Sequence, residues 1–129
     1  MEFAYHIVDV FTEKPLEGNA LAVVVDASAL DSSTMQRVAR EFNLSETAFI
    51  LPNESRGDST RVRIFTPGNE MEFAGHPTIG TAYVMRRLGI VAPDTTTFTL
   101  EENVGLVKVR VGEGDDPLLW LTTPEIRWL

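Results

Sequence analysis

The stretch FTPGNEMEFAGHPTIGTAYVMRRLG, residues 65–89, contains the segment around which the rest of the chain is predicted to fold. Its second half has the signals of a helix: Pro77 suits the first helical position, two arginines fall in the last turn, and Gly89 suits the residue after the end. Between these ends TIGTAYVM carries no charge, and a helix that is apolar on all sides is normally buried on all sides. We therefore predict a central buried helix with His76 as its N-cap.

The remaining segments predict one further helix and about seven strands. Residues 31–42 place apolar side chains at helical spacing, with Asp31 or Ser32 as N-cap and Asn43 as C-terminal stop. Strand-like segments with turn signals between them span 3–11, 20–26, 45–52, 61–67, 95–101, 104–112 and 118–123, and residues 53–60 read as a polar loop. Because helices and strands do not alternate regularly, we predict an α+β fold in which a curved, mostly antiparallel sheet wraps around the central helix.

Composition bounds the class of protein. The 129 residues suit one domain, 1–129, and a net charge of −8 disfavours nucleic acid and anionic membrane surfaces as partners. The chain has no cysteine, which excludes disulfides, thiolate metal sites and cysteine nucleophiles, and which fits a reducing cytoplasm. The start MEFAYHIVDVF has no basic region, and no apolar run approaches 18 residues, so neither a signal peptide nor a membrane span is expected.

His76 is the first candidate for chemistry, and two interpretations of it stay open. A lone histidine at a helix start is most often a polar cap. The first turn of a helix also presents unpaired N–H groups, and here Gly75 allows close approach of a ligand while Thr78 adds a hydroxyl. A carboxylate could bind there, with His76 donating a hydrogen bond or moving a proton.

Glu46 is the second candidate. On a regular strand it shares a face with Ala48 and Ile50, so partial desolvation would suit it to general acid–base work; a solvated position at a strand start is the alternative. The remaining polar candidates are expected to have ordinary roles. Asn19 is a turn residue, His6 is a strand residue near the surface, and Glu70 and Glu72 are either solvated loop residues or N-terminal charges near the second helix. No metal site is expected, since the two histidines lie 70 residues apart.

Three motifs together resemble one family. DVFTEKPLEGNALAVVVD, NLSETAFI and RIFTPGNEMEFAGHPTIGTA occur in this order, and they closely resemble the N-terminal half of the phenazine-biosynthesis PhzF-like family over about residues 5–123. The resemblance implies the diaminopimelate epimerase-like fold, in which two similar domains, each a curved sheet around a central helix, enclose an active site between them.

The resemblance also implies an activity and roles for residues. The phenazine enzyme isomerises a dihydro-hydroxyanthranilate by a proton shift without a cofactor. The family's glutamate falls on Glu46 as general acid/base, its Gly-His pair falls on Gly75 and His76, which hold and polarise the substrate, and Asn19 is a weaker match as a cleft-lining residue. With the residue-based candidate Thr78, these form the predicted site.

The family's members are about twice as long, and their second half supplies an aspartate and a second helix start that are absent here. We therefore expect a cofactor-independent isomerase of small cyclic or amino carboxylates whose second domain is absent or is supplied by a partner. The alternatives are a half-domain that forms a homodimer, binding a small carboxylate with weak activity or none, and a non-catalytic domain retained for binding or oligomerisation.

Overall fold

A computed structural model describes residues 2–115 and 117–124 of the chain. Its two helices are α1, Ser32–Phe42, and α2, Gly75–Arg87. The eight strands in this part of the chain are β1 (Tyr5–Val10), β2 (Asn19–Val24), β3 (Glu46–Arg56), β4 (Ser59–Phe65), β5 (Glu70–Met71), β6 (Thr97–Glu102), β7 (Gly105–Val111) and β8 (Leu119–Leu121). The predicted domain of residues 1–129 therefore has its last five residues outside the described ranges.

All eight strands belong to one sheet, in the order β1-β2-β3-β4-β6-β7-β8, with the short β5 paired to β4. Five of the strand pairs are antiparallel, and two are parallel: β2 with β3, and β4 with β6. A parallel pair needs a crossover connection, and the two helices are those crossovers. The prediction of a mostly antiparallel α+β sheet is thus confirmed.

The sheet curls around α2. This helix contacts β1, β2 and β3 at one end of the strand order and β8 at the other, which requires the sheet to bend around it. The core on this concave side joins Val23, Ala48 and Ile64 to Ala82 and Met85 of the helix. A second core lies on the convex side, where α1 packs against Phe49 and Phe65.

Local signals place α1 correctly. Asp31 is its N-cap and accepts a hydrogen bond from the Thr34 N–H, and Asn43 ends the helix in the left-handed conformation at φ 54°. Of the two predicted caps, Asp31 is therefore the one used. The end of α2 is also as predicted, because Gly89 follows the C-cap with φ 73°.

Three predicted details are wrong. The N-cap of α2 is Ala74, not His76, because proline is tolerated in a first turn whose N–H groups have no intrahelical partner and so does not fix position N1. The helix is not buried on every side, since Tyr83 is exposed. The polar segment 53–60 is not a loop: β3 and β4 extend through it as an exposed hairpin that turns at Gly57. No described helix is long and apolar enough to cross a membrane.

Candidate active site

Glu46 begins β3 on the concave face of the sheet. It lies in register with Leu21 of β2, and its strand alternates as expected: Ala48 joins the core beside α2, whereas Phe49 joins the core beside α1. Only 15% of the Glu46 side chain is exposed. The predicted face and partial burial are confirmed, and they direct this carboxylate toward the start of α2.

His76 is the second residue of α2 and is equally sheltered, with 14% of its side chain exposed. The N-cap residue Ala74 makes no side-chain hydrogen bond to the first turn. Because the first N–H groups of a helix have no intrahelical acceptor, this turn presents backbone donors next to the imidazole. The positive end of the helix dipole adds to their attraction for an anion.

The two side chains meet. His76 Nε2 lies 3.2 Å from Glu46 Oε2, and both atoms are buried. The approach lacks the angles of a hydrogen bond, and within the described residues neither atom has another hydrogen-bond partner. Buried polar atoms are normally paired, so two adjacent ones without partners among the described residues have the capacity to bind a ligand group. A carboxylate and an imidazole at this separation can both reach a proton on one small molecule.

The other predicted residues lie around this pair in different ways. At Gly75 a Cβ atom would meet nothing within 4 Å, so the backbone there is open to a ligand. Asn19 is exposed at the start of β2 and shares the concave face with Leu21, the residue opposite Glu46. Thr78 is buried, and its hydroxyl contacts the Ala74 carbonyl and Glu102. That hydroxyl therefore faces the interior, and its predicted contact with a substrate stays a prediction.

Phe11 is a neighbour of the site that sequence reasoning missed. Its ring centroid lies 6.5 Å from that of His76, its side chain is 71% exposed, and its backbone has φ 63°. A bulky residue in the left-handed region costs about 1–3 kcal/mol and is concentrated at functional sites. The following loop is held by Asp9, whose carboxylate accepts a hydrogen bond from the Leu16 N–H at 2.6 Å. The motif DVFTEKPLEGN contains Phe11, but motif and spacing gave no reason to single it out.

A groove of about 460 Å³ lies beside the pair rather than on it. Its walls are β1, the loop that follows Phe11, and residues 117–119, and Ile79 and Tyr83 of α2 form part of its lining. Glu46 and His76 do not line it. We place the candidate chemistry at the pair, because the groove brings no comparable set of acid and base groups together.

The structure also shows the surroundings of the polar residues that were expected to have ordinary roles. Glu70 is not solvated as predicted: it is half-buried and forms a bidentate pair with Arg63, whose hydrogen bonds hold the pKa of Glu70 below its ordinary value. Glu72 and His6 are exposed, as predicted. Within residues 2–115 and 117–124, no three His, Asp or Glu side chains lie close enough together to hold a metal ion.

Comparison with known proteins identifies one family whose members this chain resembles. The model of the family described as Phenazine biosynthesis-like protein matches residues 8–128. An uncharacterized isomerase of Mesorhizobium japonicum is 50% identical over 111 residues, which are 86% of this chain and 36% of that protein. A trans-2,3-dihydro-3-hydroxyanthranilate isomerase of Pseudomonas chlororaphis is 53% identical over 81 residues, 63% of this chain and 29% of that protein. The chain thus spans about a third of the length of these relatives.

A solved structure confirms the fold. The phenazine biosynthesis protein of the PhzF family from Bacillus anthracis superposes with a TM-score of 0.82 and 34% identity, over 94% of this chain and 40% of that one. The curled sheet around a central helix, predicted as an epimerase-like α+β domain, is therefore the fold that the matched region shares with known proteins.

Proposed function

Because the chain belongs to the Phenazine biosynthesis-like protein family, we propose that its Glu46–His76 site is one wall of the active site of an isomerase. The reaction is a cofactor-independent proton shift on a small cyclic or amino carboxylate. The observation that carries this proposal is the pair itself: two buried acid–base atoms 3.2 Å apart, neither with a hydrogen-bond partner among the described residues. Such spare capacity is costly unless a ligand uses it.

In this proposal Glu46 moves the proton. Its carboxylate takes a proton from a substrate carbon, the electron pair of the broken C–H bond shifts the neighbouring double bond, and the proton returns at another carbon. The atoms of substrate and product are the same, so no oxidant or reductant is required. A positioned general acid/base of this kind contributes about 10²–10⁴-fold to a rate.

The start of α2 holds the substrate. The backbone N–H groups of Gly75 and His76 bind its carboxylate at the positive end of the helix, and the His76 imidazole donates a further hydrogen bond. Asn19 lines the cleft on the β2 side, and the Phe11 ring lies beside the His76 imidazole. We assign Thr78 to support of the helix start, because its hydroxyl is already engaged beneath it.

The substrate to test first comes from the relatives. Several carry the name trans-2,3-dihydro-3-hydroxyanthranilate isomerase, and that molecule is a cyclic amino carboxylate of the required class. We propose that the opposite wall of the cleft comes from a second domain, as the greater length of the relatives suggests. The cytoplasmic location remains part of the proposal and rests on the cysteine-free composition.

The test is deuterium incorporation from D₂O into this substrate, followed by NMR, for the wild-type chain and Glu46→Gln. We expect the variant to lose exchange by a factor of 10² or more, because an amide cannot take the proton. Glu54→Gln is the matched control, since Glu54 lies on the same strand but is exposed, and it should exchange like the wild type. Measurable exchange that is equal in wild type and Glu46→Gln removes Glu46 from the mechanism.

A second candidate function is favoured by exposed apolar residues at Phe11, beside His76, and in the loop that follows it. Phe11 is 71% exposed and Leu16 is 94% exposed, which suits a surface covered by another subunit. In this alternative two copies pair as a homodimer and bind a small carboxylate without turnover. Light scattering would then give twice the mass of the chain, and calorimetry would detect carboxylate binding while neither wild type nor Glu46→Gln exchanges deuterium.

A further inference from the structure

Beneath the start of α2 lies a buried acid that the proposed mechanism does not use. Glu102 is the last residue of β6 and is 3% exposed. Among the described residues it is the one ionisable side chain within the core. Burying a charged carboxylate is costly unless it is paired, so the contacts of Glu102 decide its state.

The hydrogen bonds around Thr78 favour the protonated acid. Thr78 Oγ1 lies 2.7 Å from the Ala74 carbonyl oxygen and 2.7 Å from Glu102 Oε2. A hydroxyl has one proton and cannot donate to both oxygens. If Glu102 is protonated, its O–H donates to Thr78, and Thr78 donates to Ala74, so both short contacts are satisfied. The other oxygen, Oε1, is buried and has no hydrogen-bond partner in the part of the chain that the structure describes, which a neutral acid tolerates better than a carboxylate does.

The charges around Glu102 do not prevent its carboxyl group from staying protonated. Burial is the main cause that raises the pKa of Glu102, to about 7; donation from Thr78 to an ionised Glu102 and the charge of Arg61 on β4 act in the opposite direction. Donation to Glu102 would take the Thr78 proton away from the Ala74 carbonyl, so the arrangement that satisfies both short contacts is the one with Glu102 protonated. The Arg61 guanidinium is itself engaged, since it donates to the Glu101 carbonyl and to the Asn103 side chain.

Four other titratable groups lie near Glu102 in sequence or on elements packed against it, and none of them forms a hydrogen bond to it in the described part of the chain. Glu70 on β5 is bound to Arg63, and the side chain of Glu72 is exposed. Glu101, beside Glu102 on β6, is half-buried, and His76 on α2 faces Glu46.

One peptide unit connects this acid to the site. The carbonyl of Ala74 and the N–H of Gly75 belong to the same planar peptide bond, which is trans like every described peptide bond. In a trans peptide the two groups point in opposite directions. The Ala74 oxygen is held by the Thr78 hydroxyl at 2.7 Å and by the Thr78 backbone N–H at 3.3 Å. These contacts therefore also fix the direction of the Gly75 N–H, which points away from the body of the helix.

We propose that Glu102 is a positioning residue, which as an uncharged acid donates to Thr78, fixes the Ala74–Gly75 peptide and holds the Gly75 donor toward the substrate carboxylate. Ionisation of Glu102 removes the proton that this chain of hydrogen bonds requires, so the start of α2 loosens above neutral pH. The role at the active site rests on the proposed function, whereas the chain of hydrogen bonds is a property of the fold alone.

The direct measurement is the ¹³C signal of the Glu102 carboxyl and the ¹⁵N–¹H signal of Gly75 as pH is raised from 4 to 9. We expect Glu102 to titrate near pH 7 and the Gly75 amide to shift with it. In Glu102→Gln the amide still donates to Thr78 but does not ionise, so the share of the Gly75 shift that belongs to Glu102 should disappear. Any pH-dependent change of the Gly75 signal that arises elsewhere in the molecule remains in this variant, so the difference between the two profiles isolates Glu102.

The same groups predict how stability changes with pH. Above about 4.5, the ordinary pKa of this carboxyl, the unfolded chain has lost its proton, whereas the folded chain keeps it up to about pH 7. The folded state thus binds more protons in this interval, and the folding constant should fall by a factor on the order of 10² as pH rises through it. In Glu102→Gln this loss should be absent.

Two results would overturn the proposal: a Glu102 carboxyl that titrates near 4.5 in the wild type, or a Gly75 pH profile that is the same in wild type and Glu102→Gln. The first needs no variant and so holds even if Glu102→Gln does not fold. Neither readout requires substrate. A failure of the isomerase proposal, seen as unchanged exchange in Glu46→Gln, is therefore distinguishable from a failure of this one.

Discussion

The two helices of this chain begin in opposite ways. The first turn of α1 is closed by the Asp31 carboxylate, which accepts the Thr34 N–H at 2.8 Å. The first turn of α2 has no side-chain cap at Ala74 and faces the Glu46 carboxylate and the open backbone of Gly75. One helix satisfies its terminal donors locally, and the other leaves them for something outside itself.

Helix α2 is stable without a side-chain cap because the two helices are stabilised by different interactions. Only two residues of α1 are buried, so this helix depends on its own caps and amphipathic face. Seven residues of α2 are buried inside the curled sheet, and its first turn is supported from beneath by Thr78 and Glu102. Tertiary packing replaces the cap, which frees the helix start for chemistry.

The largest effect should come from making α2 begin as α1 does. Ala74→Asp places a capping carboxylate at a residue whose extended backbone, φ −150° and ψ 135°, suits an N-cap. We expect α2 to gain about 1 kcal/mol of stability. Binding of trans-2,3-dihydro-3-hydroxyanthranilate should weaken about ten- to a hundredfold, because the cap consumes the donors and repels the carboxylate. Calorimetric titration measures the binding.

Ala74→Ser is the control for charge, since a serine caps without a carboxylate and should weaken binding less than aspartate does. If Ala74→Asp binds the substrate as tightly as the wild type, the first turn of α2 is not the carboxylate site, and the open helix start has some other explanation.

Two glycines of α2 separate packing from ligand access. A Cβ atom at Gly80 would lie 2.5 Å from Leu21 Cδ2 and 2.9 Å from Val10 Cγ2, both in the core, whereas one at Gly75 meets nothing. We expect Gly80→Ala to lower the free energy of unfolding by about 1 kcal/mol, because overpacking of about 2 kcal/mol exceeds a helix-propensity gain of about 1 kcal/mol. Urea denaturation measures this change.

Gly75→Ala is the matched variant. It should unfold within about 0.5 kcal/mol of the wild type while weakening substrate binding, because its Cβ atom occupies the ligand's approach rather than the core. Equal urea midpoints for the two variants would show that the core around Gly80 yields to an extra methyl group.

The sequence predicted helix ends and strand faces best where they depend on contacts between residues close together in the chain. The start and end of α1 follow from Asp31 and Asn43, whose side chain or backbone conformation acts within one turn. The start of α2 was misplaced by two residues because a proline is accepted at several first-turn positions. The burial pattern of β3 around Glu46 was also predictable, since strand periodicity fixes which side chains share a face.

The site itself depends on contacts that sequence spacing does not reveal. Glu46 and His76 are 30 positions apart, and only the family resemblance brought them together before the structure did. Glu102 reaches the start of α2 because β6 pairs in parallel with β4, a long-range arrangement with no local signal. Phe11 approaches His76 through a left-handed backbone that a bulky residue rarely adopts.

The smallest effect is expected at the closed helix start. Asp31→Ala removes the cap of α1 and should lower the thermal midpoint by a few °C without changing substrate binding. The Thr34 hydrogen bonds lower the pKa of Asp31 below its ordinary 3.8, so the cap contributes fully above that value and is lost as pH falls through the lowered one. The difference in midpoint between wild type and variant should therefore shrink on acidification.

Ser33→Ala is the control, because Ser33 is an exposed residue of the first turn of α1. Its thermal midpoint should differ from that of the wild type by less than the midpoint of Asp31→Ala does. A loss of substrate binding in Asp31→Ala, larger than that in Ser33→Ala, would contradict the comparison from which these predictions start. It would mean that the closed start of α1 on the convex face and the open start of α2 on the concave face are coupled through the sheet between them, rather than serving stability and chemistry separately.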